Sequence, residues 1–254
     1  MLRVRVIPTL LLRNDGLVKG AQFKKHKYVG DPINAVKIFN EKEVDELVFL
    51  DISATNNGKE PNYDLLQDIA SEAFMPFGYG GGINKVSQIE RLFSLGVEKV
   101  VINSAALDNP QLISDASKLA GSQSIVVSMD VKKSLFGKYE VYSNSGTVNT
   151  KLDPIEHAIK VAKLGAGELI VCNIGHEGTG KGYDSKLINM ISSAVEIPVV
   201  ASGGAGRLAD FSEAYQIGHA SAVAAGDMFT FYGKHKAVLI TYPAYHELEN
   251  CFKG

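Results

Sequence analysis

Much of what would point to a specialised protein class is missing from this chain. No run of about 18 apolar residues occurs, so no transmembrane helix is expected. The opening MLRVRVIP passes straight into a strand pattern and has no apolar signal-peptide core. Two cysteines, Cys172 and Cys251, are too few for a disulfide framework. A reduced, cytoplasmic setting is therefore expected, and Cys172, lying in an apolar strand, reads as a buried side chain rather than a reactive one. The 26 basic and 28 acidic side chains nearly cancel, leaving a net charge of −2 and no basic stripe to attract nucleic acid. The six histidines have no ligand spacing, so neither a metal nor a cofactor is expected. No Gly-x-Ser-x-Gly elbow or Cys/His pair suggests covalent catalysis. No linker, low-complexity stretch or second domain interrupts the chain.

What remains is an ordinary globular composition, 45% hydrophobic and 21% charged, in 254 residues. That length is close to the roughly 250 residues of an eight-stranded barrel. Short runs rich in Val, Ile and Leu recur at Val4–Leu10, Glu46–Ile52, Met75–Tyr79, Lys99–Asn103, Ser124–Asp130, Glu168–Ile174, Ile197–Ser202 and Ser221–Ala225. They are almost continuously apolar, as strands buried on both faces are. Amphipathic stretches separate them: Pro32–Glu43, Tyr63–Glu72, Val86–Leu95, Pro110–Leu119, Pro154–Leu164, Ser185–Val195 and Leu208–Ile217. Asp31-Pro32, Asn109-Pro110 and Asp153-Pro154 read as helix starts. Alternating βα units predict a parallel sheet, and eight of them a closed α/β barrel, with an open doubly wound sheet as the alternative. Phe136–Thr150 alternates and turns at Asn144-Ser145-Gly146, which predicts a hairpin after strand 5. Beyond Phe231 the expectation is a short helix near Lys234–Leu239 and another near Tyr245–Phe252, separated by Pro243.

An internal repeat favours the barrel. The segment Pro76–Leu107 and the segment Pro198–Phe229 carry the same pattern of strand, glycine turn, helix, strand and small-residue turn. Gly81 matches Gly203, Gly82 matches Gly204, Gly96 matches Gly218 and Ser104 matches Gly226, each pair 122 positions apart. Glu46 and Glu168 share that spacing, within DELVFLDI and GELIVCNI. Two homologous half-barrels, about 1–122 and 123–254, fit within one domain.

In such barrels the chemistry lies at the C-terminal ends of the strands. Gly81, Gly82, Asn103 and Ser104 follow strands 3 and 4, and Ser202, Gly203, Gly204, Ala225 and Gly226 follow strands 7 and 8. Glycine turns let backbone N–H groups approach an anion, and the two pairs predict a ligand with two phosphates. The plain alternative is that the glycines serve only tight turns. Asp51 ends strand 2 and Asp130 ends strand 5, each a candidate acid, base or hydrogen-bond anchor, or merely a cap or loop ion pair. Glu177 follows strand 6 and is either a site residue or simply solvated. At the opposite ends of the strands stand Arg5, Glu46, Lys99 and Glu168, a possible charged ring or only a structural ion-pair layer. The run Gly175–Lys181 resembles a Walker A loop, but Gly182 stands where Ser or Thr is required, so that reading is rejected.

Taken together, VIPTLLL, DGLVKG, GDP, DELVFLDISA, GGGI, VINSAA, GSQSIVVSMD, GAGE, GYD and ASGGAG resemble the cyclase subunit of imidazole glycerol phosphate synthase, from Met1 to about Phe229. The resemblance implies a (βα)8 barrel and a glutaminase partner at its N-terminal face. It implies ammonia entering through a gate made by Arg5, Glu46, Lys99 and Glu168, and a phosphorylated ligand at the mouth. Asp130 matches one of the family's two catalytic aspartates. Leu11 stands at the other: the family's Cys-Leu-Asp-Val reads Thr9-Leu10-Leu11-Leu12 here, and the repeat sets Asp130 against Leu11 at a spacing of 119. The loop after strand 6 also departs, with Gly175-His176-Glu177-Gly178-Thr179 in place of Asp-x-Asp-Gly-Thr. An intact entrance with an altered mouth is similar to the divergent branch of the family that works with sugar amidotransferases on surface polysaccharides. A true cyclase of histidine biosynthesis and a non-catalytic scaffold that activates the glutaminase are the other readings.

Overall fold

A computed structural model describes residues 4–134 and 136–253. Its eight central strands are β1 (Arg5–Arg13), β2 (Leu47–Asp51), β3 (Phe77–Gly80), β4 (Lys99–Ile102), β5 (Ile125–Lys133), β6 (Glu168–Asn173), β7 (Val199–Ser202) and β8 (Ala222–Ala225). Each pairs in parallel with the next, and β8 returns to β1 with Arg5 opposite Ala222 and Pro8 opposite Ala225. The sheet is therefore closed, and the open-sheet alternative is excluded. Seven helices follow the first seven strands: α1 (Pro32–Glu41), α2 (Tyr63–Glu72), α3 (Val86–Ser94), α4 (Gln111–Ala120), α5 (Pro154–Lys163), α6 (Ser185–Ser192) and α7 (Leu208–Gln216). A last helix, α8 (Tyr245–Phe252), lies against α7 through the edge-on rings of Tyr215 and Phe252, 5.7 Å apart. Among the described residues no helix is long and apolar enough to cross a membrane.

The strands are apolar on both faces because each face has its own dry neighbour. Successive side chains alternate. On β1, Val6, Leu10 and Leu12 pack outward into the helix layer, while Ile7 packs into the barrel interior. Val48, Val101, Val126, Ile170 and Val200 join Ile7 inside, with Ala222 and Ala224 from β8. Glycines occupy the inner positions of β3. A β-carbon at Gly80 would stand 2.7 Å from the Val101 carbonyl oxygen, and one at Gly78 would meet Lys99 at 3.4 Å. The same alternation carries a face of β1 from Arg5 at the floor through Ile7 to Leu11 at the mouth.

Helix starts follow the expected chemistry in two of three cases. The Asp31 carboxylate accepts from the Asn34 N–H at 2.9 Å, and Asp153 accepts from Ile155 and Glu156. Asn109 does not cap α4, because a short helical turn, Ser104–Asp108, intervenes and Pro110 takes the cap position. Two stretches differ from the sequence expectation, the β1 extension and the segment after Phe231, while the hairpin expected over Phe136–Thr150 is present. β1 continues to Arg13 and folds back through two antiparallel strands, Gly16–Ala21 and Lys24–Gly30. β5 continues past Asp130 to Lys133, pairs with Tyr139–Ser143, and turns at Asn144–Gly146 toward Val148–Asn149. The helix expected near Lys234–Leu239 is instead a two-stranded ribbon, Phe231–Tyr232 with Ala237–Val238. Its turn places Gly233 at φ 70° and Lys236 at φ 48°, conformations incompatible with a right-handed helix. The helix expected over Tyr245–Phe252 is present as α8.

Candidate functional site

The barrel floor is closed by four side chains from four strand starts. Arg5 on β1 reaches both Glu46, ahead of β2, and Glu168 on β6. Lys99 on β4 reaches the same two carboxylates, at 2.9 Å to Glu46 and 2.8 Å to Glu168. Signs alternate around the ring, so each buried carboxylate has two cations. That is the condition under which burying charge is tolerated. Burial works against the Arg5 charge, but Glu168 and Glu46 more than restore it and its pKa lies above the ordinary value. Above the ring sits the apolar inner layer described for the barrel, and above that the mouth.

A cavity of about 400 Å³ opens at the C-terminal strand ends. Asp130 lies in it, 8% exposed, and accepts a hydrogen bond from Asn103 Nδ2 at 3.0 Å. Burial pushes its carboxyl up, the Asn103 bond draws it down, and the negative charge of Glu177 raises it again, leaving it at about 7. Asn103 Oδ1 is buried without a hydrogen-bond partner. Leu11 faces the same cavity with Thr9 and Leu50. No second carboxylate therefore arises from β1.

The remaining expected residues divide. Gly81, Gly82, Asn103 and Ser104 line the cavity at the β3/β4 end, and Ser202 and Gly226 reach it at the β7/β8 end. Gly203, Gly204 and Ala225 do not line it. The first two are buried in the turn after β7, and Ala225 packs outward among the core side chains. Gly81 adopts φ 125° and stands so close to Asp51 that a β-carbon would be 2.5 Å from its carbonyl oxygen. Asp51 lines the cavity, and its Oδ1 is taken up by the following turn, accepting from the Ser53 N–H and hydroxyl, both at 2.8 Å, and from Ala54 at 3.0 Å. Ser104 Oγ accepts from the Asn144 N–H at 2.9 Å, which ties the β5 extension to the β4 end. Glu177 is half-buried rather than freely solvated. It pairs with Lys19, which is itself only 4% exposed.

Lys19 is the site residue that motif reading passed over. It lies on the Gly16–Ala21 strand, and its ammonium sits where a β-carbon on Gly226 would be 2.5 Å away. The hairpin is docked on the β6–α6 loop, where the Gln22 N–H donates to the Glu177 carbonyl at 2.8 Å and Gln22 Nε2 to that of Gly175 at 2.9 Å. The one available signal was Lys19 within DGLVKG, a cation flanked by Val18 and Gly20 in an otherwise apolar strand. Cys172, facing the cavity from β6, is buried. Burial and the charges of Glu177 and Asp130 raise its thiol pKa, so it remains protonated. Among the described residues no group of three His, Cys, Asp or Glu side chains could hold a metal ion.

The arrangement thus combines a titratable carboxyl, polar strand-end turns and a buried cation around one cavity, with an ion-pair ring at the other end. Comparison with known proteins agrees with the architecture. The family "Histidine biosynthesis protein" matches residues 5–236. The chain is 50% identical over 249 residues to a Pseudomonas aeruginosa protein provisionally named imidazole glycerol phosphate synthase subunit hisF2, covering 98% of this chain and 99% of that one. It is 49% identical over 245 residues to a Vibrio vulnificus protein provisionally named subunit hisF3, covering 96% and 94%. It is 44% identical over 226 residues to the imidazole glycerol phosphate synthase subunit HisF of Petrotoga mobilis, covering 89% and 90%. On this likeness over nearly its whole length, the chain belongs to the HisF family of imidazole glycerol phosphate synthase subunits.

Proposed function

We propose that this chain is the synthase-side, ammonia-accepting subunit of a glutamine amidotransferase whose mouth no longer closes an imidazole ring. A glutaminase docks on the N-terminal face. Ammonia passes the Arg5–Glu46–Lys99–Glu168 ring and the apolar inner layer to an acceptor held at the mouth. The single observation that carries this is the contrast between the two ends: the four-membered ring is complete at the floor, while at the mouth Asp130 has Leu11 in place of a second carboxylate. A leucine neither gives nor takes a proton. In general acid–base catalysis each positioned group contributes roughly 10² to 10⁴ in rate. The ring suits a gate because swinging Lys99 aside leaves both carboxylates still paired with Arg5. The acceptor is a phosphorylated small molecule, and the amidino product serves a surface-polysaccharide sugar through a sugar amidotransferase.

The test is glutamine-dependent product formation by the chain co-purified with its glutaminase. Lys99→Ala and Glu168→Ala are expected to uncouple glutamine hydrolysis from ammonia use while leaving ammonium-salt-dependent activity in place. Unchanged coupling in both variants defeats the gate. A second reading, a working cyclase of histidine biosynthesis, is favoured by Asp130 itself, whose pKa of about 7 suits a general base at neutral pH. Turnover of the ribulosyl bisphosphate substrate by the purified chain with ammonium salt would establish that reading and displace the first.

A further inference from the structure

Three β-fingers leave the mouth end of the barrel: the hairpin that follows β1, the hairpin that follows β5, and the ribbon that follows β8 and the turn Asp227–Thr230. β1 and β8 are neighbours, while β5 lies four strands from β1 in a closed barrel of eight, on the far side of the mouth. Each finger exposes lysines along its outer part. Lys24, Lys25 and Lys27 stand on the first. Lys132, Lys133 and Lys138 stand on the second, and Lys234 and Lys236 on the third. The stretches 22–28, 132–138 and 231–239 hold these eight lysines and no Asp or Glu, in a chain whose net charge is −2. Among the described residues only Lys236 of the eight has an ion pair, at 3.1 Å to Asp227. Each finger also exposes an aromatic ring: Phe136 is 99% exposed, Tyr28 69% and Tyr232 66%. Phe136 is carried on a closed turn, in which the Ser134 N–H donates to the Lys138 carbonyl at 2.7 Å. None of these lysines or rings lines the cavity.

We propose that the mouth face rests on an anionic lipid surface, with Phe136, Tyr28 and Tyr232 at headgroup level and the finger lysines over the lipid phosphates. Aromatic rings favour that interfacial depth, where one side is apolar and the other wet. Lysines near an anionic leaflet are drawn to it while keeping their water. Two features favour a bilayer over an acidic protein. Every cation on the three stretches is Lys and none is Arg, whereas protein–protein interfaces are depleted in Lys and enriched in Arg. The fingers are also separate, on opposite sides of the mouth. They offer no continuous patch for a protein to cover, whereas a deformable surface can meet them together. The proposal does not depend on which acceptor the mouth serves.

Co-sedimentation of the purified chain with sucrose-loaded vesicles tests this. Vesicles of phosphatidylcholine alone are compared with vesicles of phosphatidylcholine mixed with phosphatidylglycerol, at about 0.1 M salt. The chain is expected to partition at least about tenfold better onto the anionic vesicles. A triple variant, Lys132→Gln with Lys133→Gln and Lys138→Gln, should lower that partition about fivefold or more. The same loss of charge at the other end of the barrel, from the exposed Lys42, Lys118 and Lys163 as Lys42→Gln with Lys118→Gln and Lys163→Gln, should leave it unchanged. The chain has no tryptophan, so Phe136→Trp reports on one ring, and its emission should shift to the blue on anionic vesicles. No preference for anionic vesicles, an equal fall in the two triple variants, or no blue shift each overturns the inference. Retention on immobilised polyglutamate that the finger variant loses, without vesicle binding, overturns it too and assigns the fingers to an acidic protein face.

Discussion

Replacing Asp130 with asparagine should stabilise the protein at alkaline pH and not at acid pH. The carboxyl is buried, and its pKa rises from an ordinary 3.8 to about 7, chiefly because burial penalises the charged form. The folded chain then holds the proton more tightly than the unfolded chain. Between pH 4 and 7 the folded state binds the extra proton, so Asp130 makes stability fall as pH rises, by at most about 1.4 kcal/mol per pH unit. Above pH 7 both states are ionised and the loss levels off at up to about 4 kcal/mol. Asparagine carries no such charge, yet its Oδ1 can still accept from Asn103 Nδ2 and its amide can donate to the unpartnered Asn103 Oδ1. Urea unfolding at half-unit steps from pH 4.5 to 8.5 should give two curves that nearly coincide at the acid end. They should separate toward neutrality, with the variant the more stable, and run parallel above about pH 7.5. All other titrating groups cancel in the difference. Curves that stay parallel from pH 5 to 8 would refute a buried carboxyl with a raised pKa.

Gly80→Ala should destabilise the barrel by roughly 1–3 kcal/mol in the same urea assay, because its β-carbon would press on the Val101 carbonyl from 2.7 Å and on Leu50 Cδ2 from 3.0 Å. On the proposed reading, Leu11→Asp should place a second carboxylate in the mouth and raise ring-closing turnover by roughly 10² or more in the ammonium-dependent assay. No gain in a folded variant would mean that the altered β6–α6 loop, and not Leu11 alone, removed the chemistry.

The barrel was legible in the sequence because burial on both faces leaves a strong mark: a strand with two dry neighbours has no polar positions to blur its edges. The floor ring was legible for a related reason, since Arg5, Glu46, Lys99 and Glu168 are charges placed at the starts of otherwise apolar runs. The hairpin over 16–30 was not. Lys24, Lys25 and Lys27 leave its second strand exposed, so no alternation of burial is written there. Nor was the partner of Glu177, which lies 158 positions away on that same hairpin. The repeat marked Gly203 and Gly204 as equal to Gly81 and Gly82, and each pair does take up positive φ. Both pairs are closely packed by the preceding βα loop, Gly82 against Lys59 and Gly204 against Gly182. Asp51 shows the converse: a strand-end carboxylate in the right place whose oxygen is spent on Ser53 and Ala54.

The pleat also explains how the two ends of this barrel can have different histories. Arg5 and Leu11 share one face of β1, six residues apart, which at about 3.3 Å per residue is roughly 20 Å. Between them the inner face carries Ile7 and Thr9, and the neighbouring strands contribute Val48, Val101, Val126 and Val200. Between ring and mouth this layer carries no charge, and the ring's ion pairs are all among its own four members, so a change of residue at position 11 leaves them in place. Glu168 on β6 is level with Val126 on β5, four residues below Asp130. Mouth chemistry can therefore change one strand-end residue at a time at little cost to the floor. On the proposed reading, a chain with Leu11 in place of a carboxylate at the mouth is still able to take ammonia from a partner and deliver it to a different acceptor.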